Sequence, residues 1–222
     1  EAYDYPDSLF EKTVHVIDRR PPSAEGLQRA AARIAASKRP LIIAGGGVHY
    51  SDATGQLAAF AEAFGIPVAE TQAGKSALPW NHPLNLGAIG VTGSLAANRA
   101  AAAADLIIGI GTRYTDFTTS SKWAFQREDV SFLNLNVNGA DSVKLGGEAL
   151  VADAKEGLKA LHAKLSQDGY QAGYEEGKLA GLKAEWDREV DRLYAAEHPD
   201  GLSQTRVLGV INEVIPPSSV IV

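Results

Sequence analysis

Five short apolar runs alternate with helix-like segments over residues 24–166, and this alternation limits the possible folds more than any other feature. Between the runs, apolar residues recur at helical spacing. Strands that are joined by crossovers of helix length pair in parallel, and the helices cover the sheet. We therefore predict an α/β core with a doubly wound, mostly parallel sheet and helices on both faces. The strand-length runs lie at residues 40–44, 66–71, 105–111, 131–137 and 149–152.

The composition changes on either side of this core. Residues 1–23 contain several prolines among mixed polar residues and predict a linker with little regular structure. Residues 167–200 carry many charges around a sparse apolar stripe, which predicts a connecting helix. Residues 201–222 hold one capped helix and the apolar run Val220–Val222, which predicts the first strand of another domain. Since the sequence also contains no methionine, we expect a piece of a larger protein.

Charge and composition argue against several classes of function. The net charge is -6, whereas nucleic-acid binding and attraction to anionic membranes need clustered Lys and Arg. The sequence has no cysteine, which removes disulfides, thiolate nucleophiles and sulfur-ligated zinc together. No apolar run approaches the roughly 20 residues that span a bilayer. We expect a cytoplasmic protein that binds neither nucleic acid nor membrane.

The loop after the first predicted strand consists of Gly45, Gly46 and Gly47. In a parallel sheet, ligands bind outside the carboxyl ends of the strands. Glycines allow a turn with positive φ and a close approach of the backbone, and the next helix N-terminus favours an anion. However, the motif is not G-x-G-x-x-G, and no Walker lysine follows. A phosphate-binding loop and a plain tight turn both remain open.

The second loop, residues 71–94, shows neither a helical nor a strand period over 24 residues. A structureless loop of that length in a compact domain is usually functional. Thr92, Gly93 and Ser94 end it at an alanine-rich helix and form a second potential anion site. Lys75 could reach a phosphate or a neighbouring subunit, although a solvated lysine is the simpler interpretation.

Two further loops add polar groups at strand ends. Gly111, Thr112 and Arg113 follow the third predicted strand, and a guanidinium there can hold a phosphate or a carboxylate. Asn136 falls where an acidic residue often holds a ribose. Together the four loops predict a crevice for a nucleotide-like ligand. The fourth loop and its strand contribute Asn134, Asn136 and Asn138.

The sequence contains no self-contained catalytic constellation. It has no G-x-S-x-G motif and no carboxylate pair at helical spacing. His49 and His82 lie in the glycine-rich loops, where they could contact a ligand or form ordinary loop hydrogen bonds. Four aspartates lie in separate segments and share no metal-ligand spacing with each other or with the five histidines, namely Asp105, Asp116, Asp141 and Asp153.

In their order along the chain, several motifs resemble the central domain of thiamine diphosphate-dependent enzymes. They are the strand-GGG-helix unit, "GIPVAET", "ADLIIGIGTR" and "LNLNVNGADSVKLG". This group includes acetolactate synthase, pyruvate oxidase and oxalyl-CoA decarboxylase, and the resemblance covers residues 24–166. It implies a pyrimidine-binding domain before this domain and a truncated pyrophosphate-binding domain starting at residue 201.

Three segments resemble one branch of that family in particular. They are "YDYPDSLFEKTVH", "AGKSALPW" and "DFTTSSK". They are similar to the hydrolases that open the ring of a trihydroxycyclohexane-1,2-dione in myo-inositol catabolism, whereas acetolactate synthase tends toward "GAFP" and an aspartate pair. The resemblance implies a parent homodimer or homotetramer that uses thiamine diphosphate and Mg²⁺. The activating glutamate and the magnesium motif would lie in the two other domains, so this piece should be inactive by itself.

The resemblance also implies a cofactor crevice. In relatives, the central domain binds FAD or ADP at the positions that here are Gly45, Gly46, Gly47, Gly93, Gly111, Arg113, Asn136 and Asp153. Flavin-binding relatives carry acidic residues where this sequence has Asn136 and Asn138, and the hydrolysis needs no redox group.

One hypothesis is therefore a structural domain with a vestigial nucleotide site. The other is a true FAD, ADP or NAD module, either regulatory or part of an acetolactate synthase-like enzyme. A sirtuin-like NAD consumer is disfavoured because no zinc ribbon is present.

Overall fold

A computed structural model describes residues 3–216, 218 and 219 of the chain. Within these residues the backbone forms a single six-stranded sheet in which all the paired strands are parallel. Its strands are β1 (Pro40–Ala44), β2 (Val68–Glu70), β3 (Asn85–Ala88), β4 (Leu106–Ile110), β5 (Ser131–Asn136) and β6 (Glu148–Val151).

Helices of two sizes connect and flank the strands. The longer ones are α1 (Ala24–Ala35), α3 (Thr54–Phe64), α4 (Leu95–Ala103), α7 (Ala154–Asp168), α8 (Lys178–Ala195) and α9 (Gln204–Val214). Three helices of a single turn lie in the loops, and they are α2 (Gly47–Tyr50), α5 (Asp116–Thr119) and α6 (Gly139–Ser142).

The strand order is β3-β2-β1-β4-β5-β6, which confirms the predicted doubly wound α/β fold. Dinucleotide-binding sheets of the Rossmann type share this order. The chain builds one half of the sheet outward from β1 and then returns to start the other half at β4. Consequently the loops after β1 and β4 separate at the centre of the carboxyl edge, where such folds open a crevice.

Two hydrophobic cores cover the two faces of the sheet. Along β1, Ile42 and Ala44 belong to one core, whereas Leu41 and Ile43 belong to the other. The first core receives α1, α3 and α7, and Phe60 is among its largest fully buried side chains. The second core receives the alanine-rich helix α4. Because alternate strand residues point to opposite faces, the unbroken apolar runs fit strands that are buried on both sides.

Single residues determine the start of α1 and the end of α3. Ser23 caps α1 by accepting a hydrogen bond from the Gly26 N–H at 3.1 Å. Gly65 ends α3 with a φ of 65°. Ser51 and Asp52 are of the residue types that usually cap a helix, but this local expectation is wrong for α3, because Ala53 is the N-cap residue. The chain first forms the single turn α2, and the Ser51 hydroxyl instead accepts from the N–H of Ala154.

The expectation of a structureless loop over residues 71–94 is also wrong. This segment contains β3 and a 3₁₀ turn at Gln72–Gly74. Strand β3 has only four residues and pairs with β2 through an irregular register. Its sequence, Asn-Leu-Gly-Ala, lacks the β-branched residues that mark a strand, so the local pattern carries no strand signal.

The flanking segments differ from one another. Residues 3–23 are almost entirely exposed and form one 3₁₀ turn, Asp7–Phe10, but neither an α-helix nor a strand. The helices predicted after residue 166 are present as α8 and α9. The strand predicted at Val220–Val222 lies outside the described residues. Among the residues that are described, no helix is both long and apolar enough to cross a bilayer.

Helix α8 packs against the domain instead of projecting from it. Leu182 and Trp186 contact the second hydrophobic core. The Lys183 ammonium donates to the carbonyl oxygens of His82, at 3.1 Å, and Asn85, at 2.5 Å. Partial burial lowers the pKa of Lys183, but the two carbonyl groups compensate its charge. This lysine therefore fastens α8 to the start of the edge strand β3.

We predict that Lys183→Met lowers the free energy of unfolding by about 1–2 kcal/mol, because it removes two charge-assisted hydrogen bonds and leaves both carbonyl groups without that donor. Chemical denaturation of the purified chain measures this change. Lys178→Met, at an exposed position of the same helix, is the matched control and should have little effect. Equal stability of the two variants would contradict the fastening role of Lys183.

Candidate functional site

A cavity of about 1260 Å³ opens at the carboxyl edge of the sheet. Every strand contributes to it through the loop at its carboxyl end, as the sequence predicts for a ligand crevice. The contributing residues after β1, β2 and β3 include Gly46, Gly47, Tyr50, Ser51, Thr71, Gln72, Lys75, Ile89 and Thr92. Those after β4, β5 and β6 include Gly111, Thr112, Arg113, Thr115, Phe117, Val137, Asn138, Asp141 and Asp153.

The three consecutive glycines let the loops after β1 and β4 cross in direct contact. The Gly47 N–H donates to the Gly111 carbonyl at 3.0 Å. A Cβ on Gly47 would lie 2.6 Å from the Gly111 Cα, and a Cβ on Gly45 would lie 2.3 Å from the Gly111 oxygen. The expected positive φ is not found at Gly45, Gly46 or Gly47, whereas Gly111 has a φ of 60°. Close backbone packing, not a left-handed turn, therefore explains the glycines at positions 45 and 47.

The second loop brings Lys75 and Thr92 to the cavity but not Gly93. A Cβ on Gly93 would lie 2.7 Å from the Ala88 oxygen, so this glycine serves a tight turn. Ser94 caps α4 by accepting from the Ala97 N–H at 3.0 Å. The anion site expected at Thr92, Gly93 and Ser94 is thus partly used by the helix cap, and its ligand-binding role stays a prediction.

Glu70 is a buried acidic residue that is absent from the predicted site residues. Its side chain is fully buried at the end of β2. One carboxylate oxygen accepts from the Leu78 N–H at 3.1 Å and from the Asn85 Nδ2 at 3.3 Å. The other accepts no hydrogen bond from the described residues and lies 3.8 Å from the Lys75 Nζ. Glu70 thus organises the loop that carries Lys75, and a glutamate inside a buried strand is the signal that could have identified it.

The asparagines of β5 tie adjacent loops together. Asn136 donates through Nδ2 to the Thr112 carbonyl at 3.0 Å, and its Oδ1 accepts from the Asn138 N–H at 3.0 Å. The Asn134 Oδ1 accepts from the hydroxyl of Tyr114 at 2.8 Å. Burial raises the pKa of Tyr114, so this hydroxyl stays a donor. These amides therefore join the loops after β4 and β5, and a carboxylate could not replace the Nδ2 donor of Asn136.

Asp153 starts α7 and anchors the N-terminal segment. Its carboxylate accepts from the N–H groups of Lys155, at 2.9 Å, and Glu156, at 3.3 Å. Arg19 forms an ion pair with the same carboxylate at 2.9 Å, and the Asp153 N–H donates to the Arg20 carbonyl. The carboxylate therefore caps α7 and already has internal partners.

Of the eight predicted cofactor-binding residues, six line the cavity and two do not. The two are Gly45 and Gly93. Arg113 is exposed at the cavity, and among the described residues its hydrogen-bond partner is the Lys144 Nζ, which donates to its backbone carbonyl. The six that line the cavity are Gly46, Gly47, Gly111, Arg113, Asn136 and Asp153. Binding of a nucleotide by these residues stays a prediction.

The histidines and aspartates of the loops do not form a reactive group. His49 contacts the Lys75 carbonyl at 3.0 Å, and His82 contacts the Glu62 carboxylate at 2.9 Å, so both make local loop contacts. Throughout the part of the chain that the structure describes, no three histidine or acidic side chains converge on a possible metal site.

Comparison with known proteins identifies similar sequences. The sequence profile described as "Thiamine pyrophosphate enzyme, central domain" matches residues 27–161. Proteins named 3D-(3,5/4)-trihydroxycyclohexane-1,2-dione hydrolase are similar over the whole chain. The identity is 43% for that of Clostridium tetani, 44% for that of Bacillus thuringiensis and 45% for that of Bacillus licheniformis. The chain spans 38% of the length of each of these relatives.

A solved structure is similar as well. It is an X-ray structure of a candidate thiamin diphosphate-dependent enzyme from Mycobacterium smegmatis. The match has a TM-score of 0.55 and 25% sequence identity, and it covers 68% of this chain and 30% of the other. The sequence profile and the solved structure therefore agree on the family and on the α/β fold.

We predict that Gly111→Ala destabilises the chain by at least about 2 kcal/mol, because a Cβ there adds a strained positive φ to a clash. The added atom would lie 2.5 Å from the Gly47 Cα, which belongs to the backbone and cannot rotate away. Gly55→Ala in α3 is the control, since nothing lies within 4 Å of its added Cβ. Denaturation curves should show a loss only for Gly111→Ala, and equal curves would contradict the tight crossing of the two loops.

We predict that Asn136→Asp destabilises the fold by about 1–3 kcal/mol near neutral pH, because a carboxylate oxygen would face the Thr112 carbonyl. Folding would raise the pKa of the new carboxyl group, so the loss should grow as the pH rises from about 4 to about 7. Denaturation at several pH values measures it. Asn81→Asp, the same change at an exposed position, is the control. A loss that is independent of pH would contradict this contact.

Proposed function

Because this chain belongs to the family of thiamine pyrophosphate enzyme central domains, we propose that it is the central domain of a hydrolase that opens the ring of a trihydroxycyclohexane-1,2-dione. One observation carries the proposal. The relatives named for this activity match the whole chain at 43–45% identity, including its flanking segments. The substrate and the reaction are those of the named relatives, in which the matching region is 38% of the length.

We propose that the chain divides at the boundaries that the sequence predicts. The central domain covers residues 24–166, which contain the whole family match at 27–161. Residues 1–23 then link it to a pyrimidine-binding domain, and residues 167–200 supply a connecting helix. Residues 201–222 would begin the pyrophosphate-binding domain. The full-length parent would be a homodimer or a homotetramer.

In this proposal, the reaction takes place in the other two domains. Thiamine pyrophosphate stabilises a carbanion when it is bound, which suits the cleavage of a carbon–carbon bond next to a carbonyl group. The overall reaction consumes one water, breaks one ring bond and gives an open-chain acid. The described residues of this chain bring no acidic cluster together for Mg²⁺, so the metal would be held elsewhere in the parent. The contribution of this domain is to position its neighbours.

We propose that the crevice is a vestigial nucleotide site. Several groups that would contact a nucleotide already have internal partners. Asn136 bonds to Thr112 and Asn138, Asp153 caps α7 and pairs with Arg19, and Gly47 packs on Gly111. Ring opening by water also transfers no hydride and no electron, so the proposed reaction gives a flavin or a nicotinamide no task.

The second candidate is a domain that binds FAD, ADP or NAD. It is favoured by the size of the cavity, about 1260 Å³, and by the two cations that line it, Lys75 and Arg113. Arg113 is exposed there and could hold a phosphate. A parent with such a domain would be an acetolactate synthase-like enzyme or would be regulated by the nucleotide.

We predict that the full-length parent, supplied with thiamine pyrophosphate and Mg²⁺, opens the ring of the dione, whereas this chain alone does not. Chromatography of the substrate and the acid product measures the reaction. The parent without thiamine pyrophosphate is the control. Conversion of pyruvate to acetolactate by the parent, with no ring opening, would contradict the proposed substrate and favour the second candidate.

We predict that isothermal calorimetry of the purified chain detects no micromolar binding of ADP, NAD or FAD, because Asn136 and Asp153 of the crevice already have internal partners. Arg113→Ala, which removes the guanidinium that lines the cavity, is titrated in parallel as the matched variant. Micromolar binding that Arg113→Ala abolishes would establish the crevice as a nucleotide site. The absorbance of the purified parent near the flavin bands gives a second test, and a stoichiometric flavin there would also overturn the vestigial site.

A further inference from the structure

The carboxylate of Glu70 is buried, but only one of its two oxygens is hydrogen-bonded. The side chain is fully buried at the carboxyl end of β2. The Leu78 N–H and the Asn85 Nδ2 both donate to Oε1. In the part of the chain that the structure describes, Oε2 is the one buried side-chain oxygen or nitrogen without a hydrogen-bond partner. A buried charge in this position needs a cation close by.

The cation within reach of Glu70 is the Lys75 ammonium, whose Nζ lies 3.8 Å from Oε2. A charge-assisted N–H···O bond is about 2.7–2.9 Å long, so a movement of about 1 Å would let the ammonium donate to Oε2. The Lys75 side chain is 63% exposed and also lines the cavity. Its ammonium is therefore available either to the buried carboxylate or to an anion in the cavity.

The backbone on both sides of this pair is held in place. Glu70 pairs with Ala44 of β1 and with Ala88 of β3, so a strand lies on each side of it. The turn that leads to Lys75 packs tightly on β1, since a Cβ on Gly74 would clash with the Ala44 carbonyl oxygen. Movement within the pair is therefore concentrated in the lysine side chain.

The other acidic side chains that line the cavity already pair with cations other than Lys75. Lys75 is consequently left to Glu70. Salt screens a buried charge much less than an exposed one, so Glu70 attracts the ammonium even at physiological ionic strength. The two other pairs are Asp141 with Lys144, at 2.8 Å, and Asp153 with Arg19, at 2.9 Å.

We propose that Glu70 determines the specificity of the crevice by holding the Lys75 ammonium, so that the crevice excludes phosphate groups. An incoming phosphate would have to draw the ammonium away from Oε2 and leave a buried carboxylate without its cation. Glu70 is a positioning residue, because it acts on a ligand through Lys75. This inference rests on the proposed function, in which the crevice holds no nucleotide.

Calorimetric titration with inorganic pyrophosphate tests the role of Glu70. The 222-residue chain is used, because the thiamine pyrophosphate site of the parent would also bind this probe. We expect Glu70→Gln to bind pyrophosphate at least about tenfold more tightly than the unmodified chain, because the neutral amide releases the ammonium. Adding Lys75→Met to Glu70→Gln should abolish the gain. Equal affinities, or a gain that survives Lys75→Met, would overturn the proposal.

Asp116→Asn is the matched control for the change in net charge. It also removes one negative charge, at an exposed position between two residues that line the cavity, Thr115 and Phe117. We expect it to leave the affinity for pyrophosphate nearly unchanged. A gain as large as that of Glu70→Gln would show that the loss of any nearby charge improves binding, which overturns the specific role of Glu70.

Thermal unfolding gives a second measurement, which decides alone if Glu70→Gln does not fold. Lys75→Met by itself leaves Oε2 without a cation, so we expect it to lower the melting temperature of the chain by several degrees. Lys178→Met, at an exposed position of α8, is the control and should have little effect. Equal melting temperatures of the two variants would refute the ion pair and, with it, the proposal.

The outcomes separate this inference from the proposed function. Silence of the unmodified chain and of Glu70→Gln toward pyrophosphate would refute the role of Glu70 and leave the vestigial site standing. Micromolar binding of ADP to the unmodified chain would refute both. Ring opening by the parent is assayed separately. A gain that depends on Lys75, in a parent that opens no ring, would support the role of Glu70 and refute the proposed reaction.

Discussion

Two loops cross backbone to backbone at Gly47 and Gly111, and the functional edge of this domain depends on that contact. The strand order reverses between β1 and β4, so the loops leaving these strands must diverge immediately after touching. The Gly47 N–H donates to the Gly111 carbonyl, and neither residue has space for a Cβ. Both residues line the cavity, so their contact determines where the loops around the cavity begin.

A polar network then holds the surrounding loops in one arrangement. Asn136 joins the loop after β4 to its own loop, and Asp153 joins α7 to the N-terminal segment through Arg19. Glu70 holds the connection that carries Lys75. The side-chain atoms that make these contacts are thereby engaged within the protein. In the proposed function, these internal contacts are the physical reason why the crevice holds no nucleotide.

The sequence predicts what local pattern determines. Apolar runs identify five strands, and Ser23, Gly65 and Asp153 fix helix ends through their own chemistry. Strand β3 was missed because its four residues have no β-branched side chain and gain their order from β2. The sequence also does not show why residues 45 and 47 are glycine. The backbone that leaves no space for a Cβ there belongs to Gly111, which is distant in sequence. Which residues line the crevice was largely predictable, whereas their internal hydrogen bonds depend on neighbours across the sheet.

The central claim is that this domain positions the thiamine site of the parent and holds no nucleotide of its own. Native mass spectrometry of the full-length parent tests it most directly, after incubation with thiamine pyrophosphate, Mg²⁺, ADP and FAD together. The account predicts one thiamine pyrophosphate with its metal per subunit and no further bound mass. One ADP or FAD per subunit, lost when Arg113 is replaced by alanine, would contradict it.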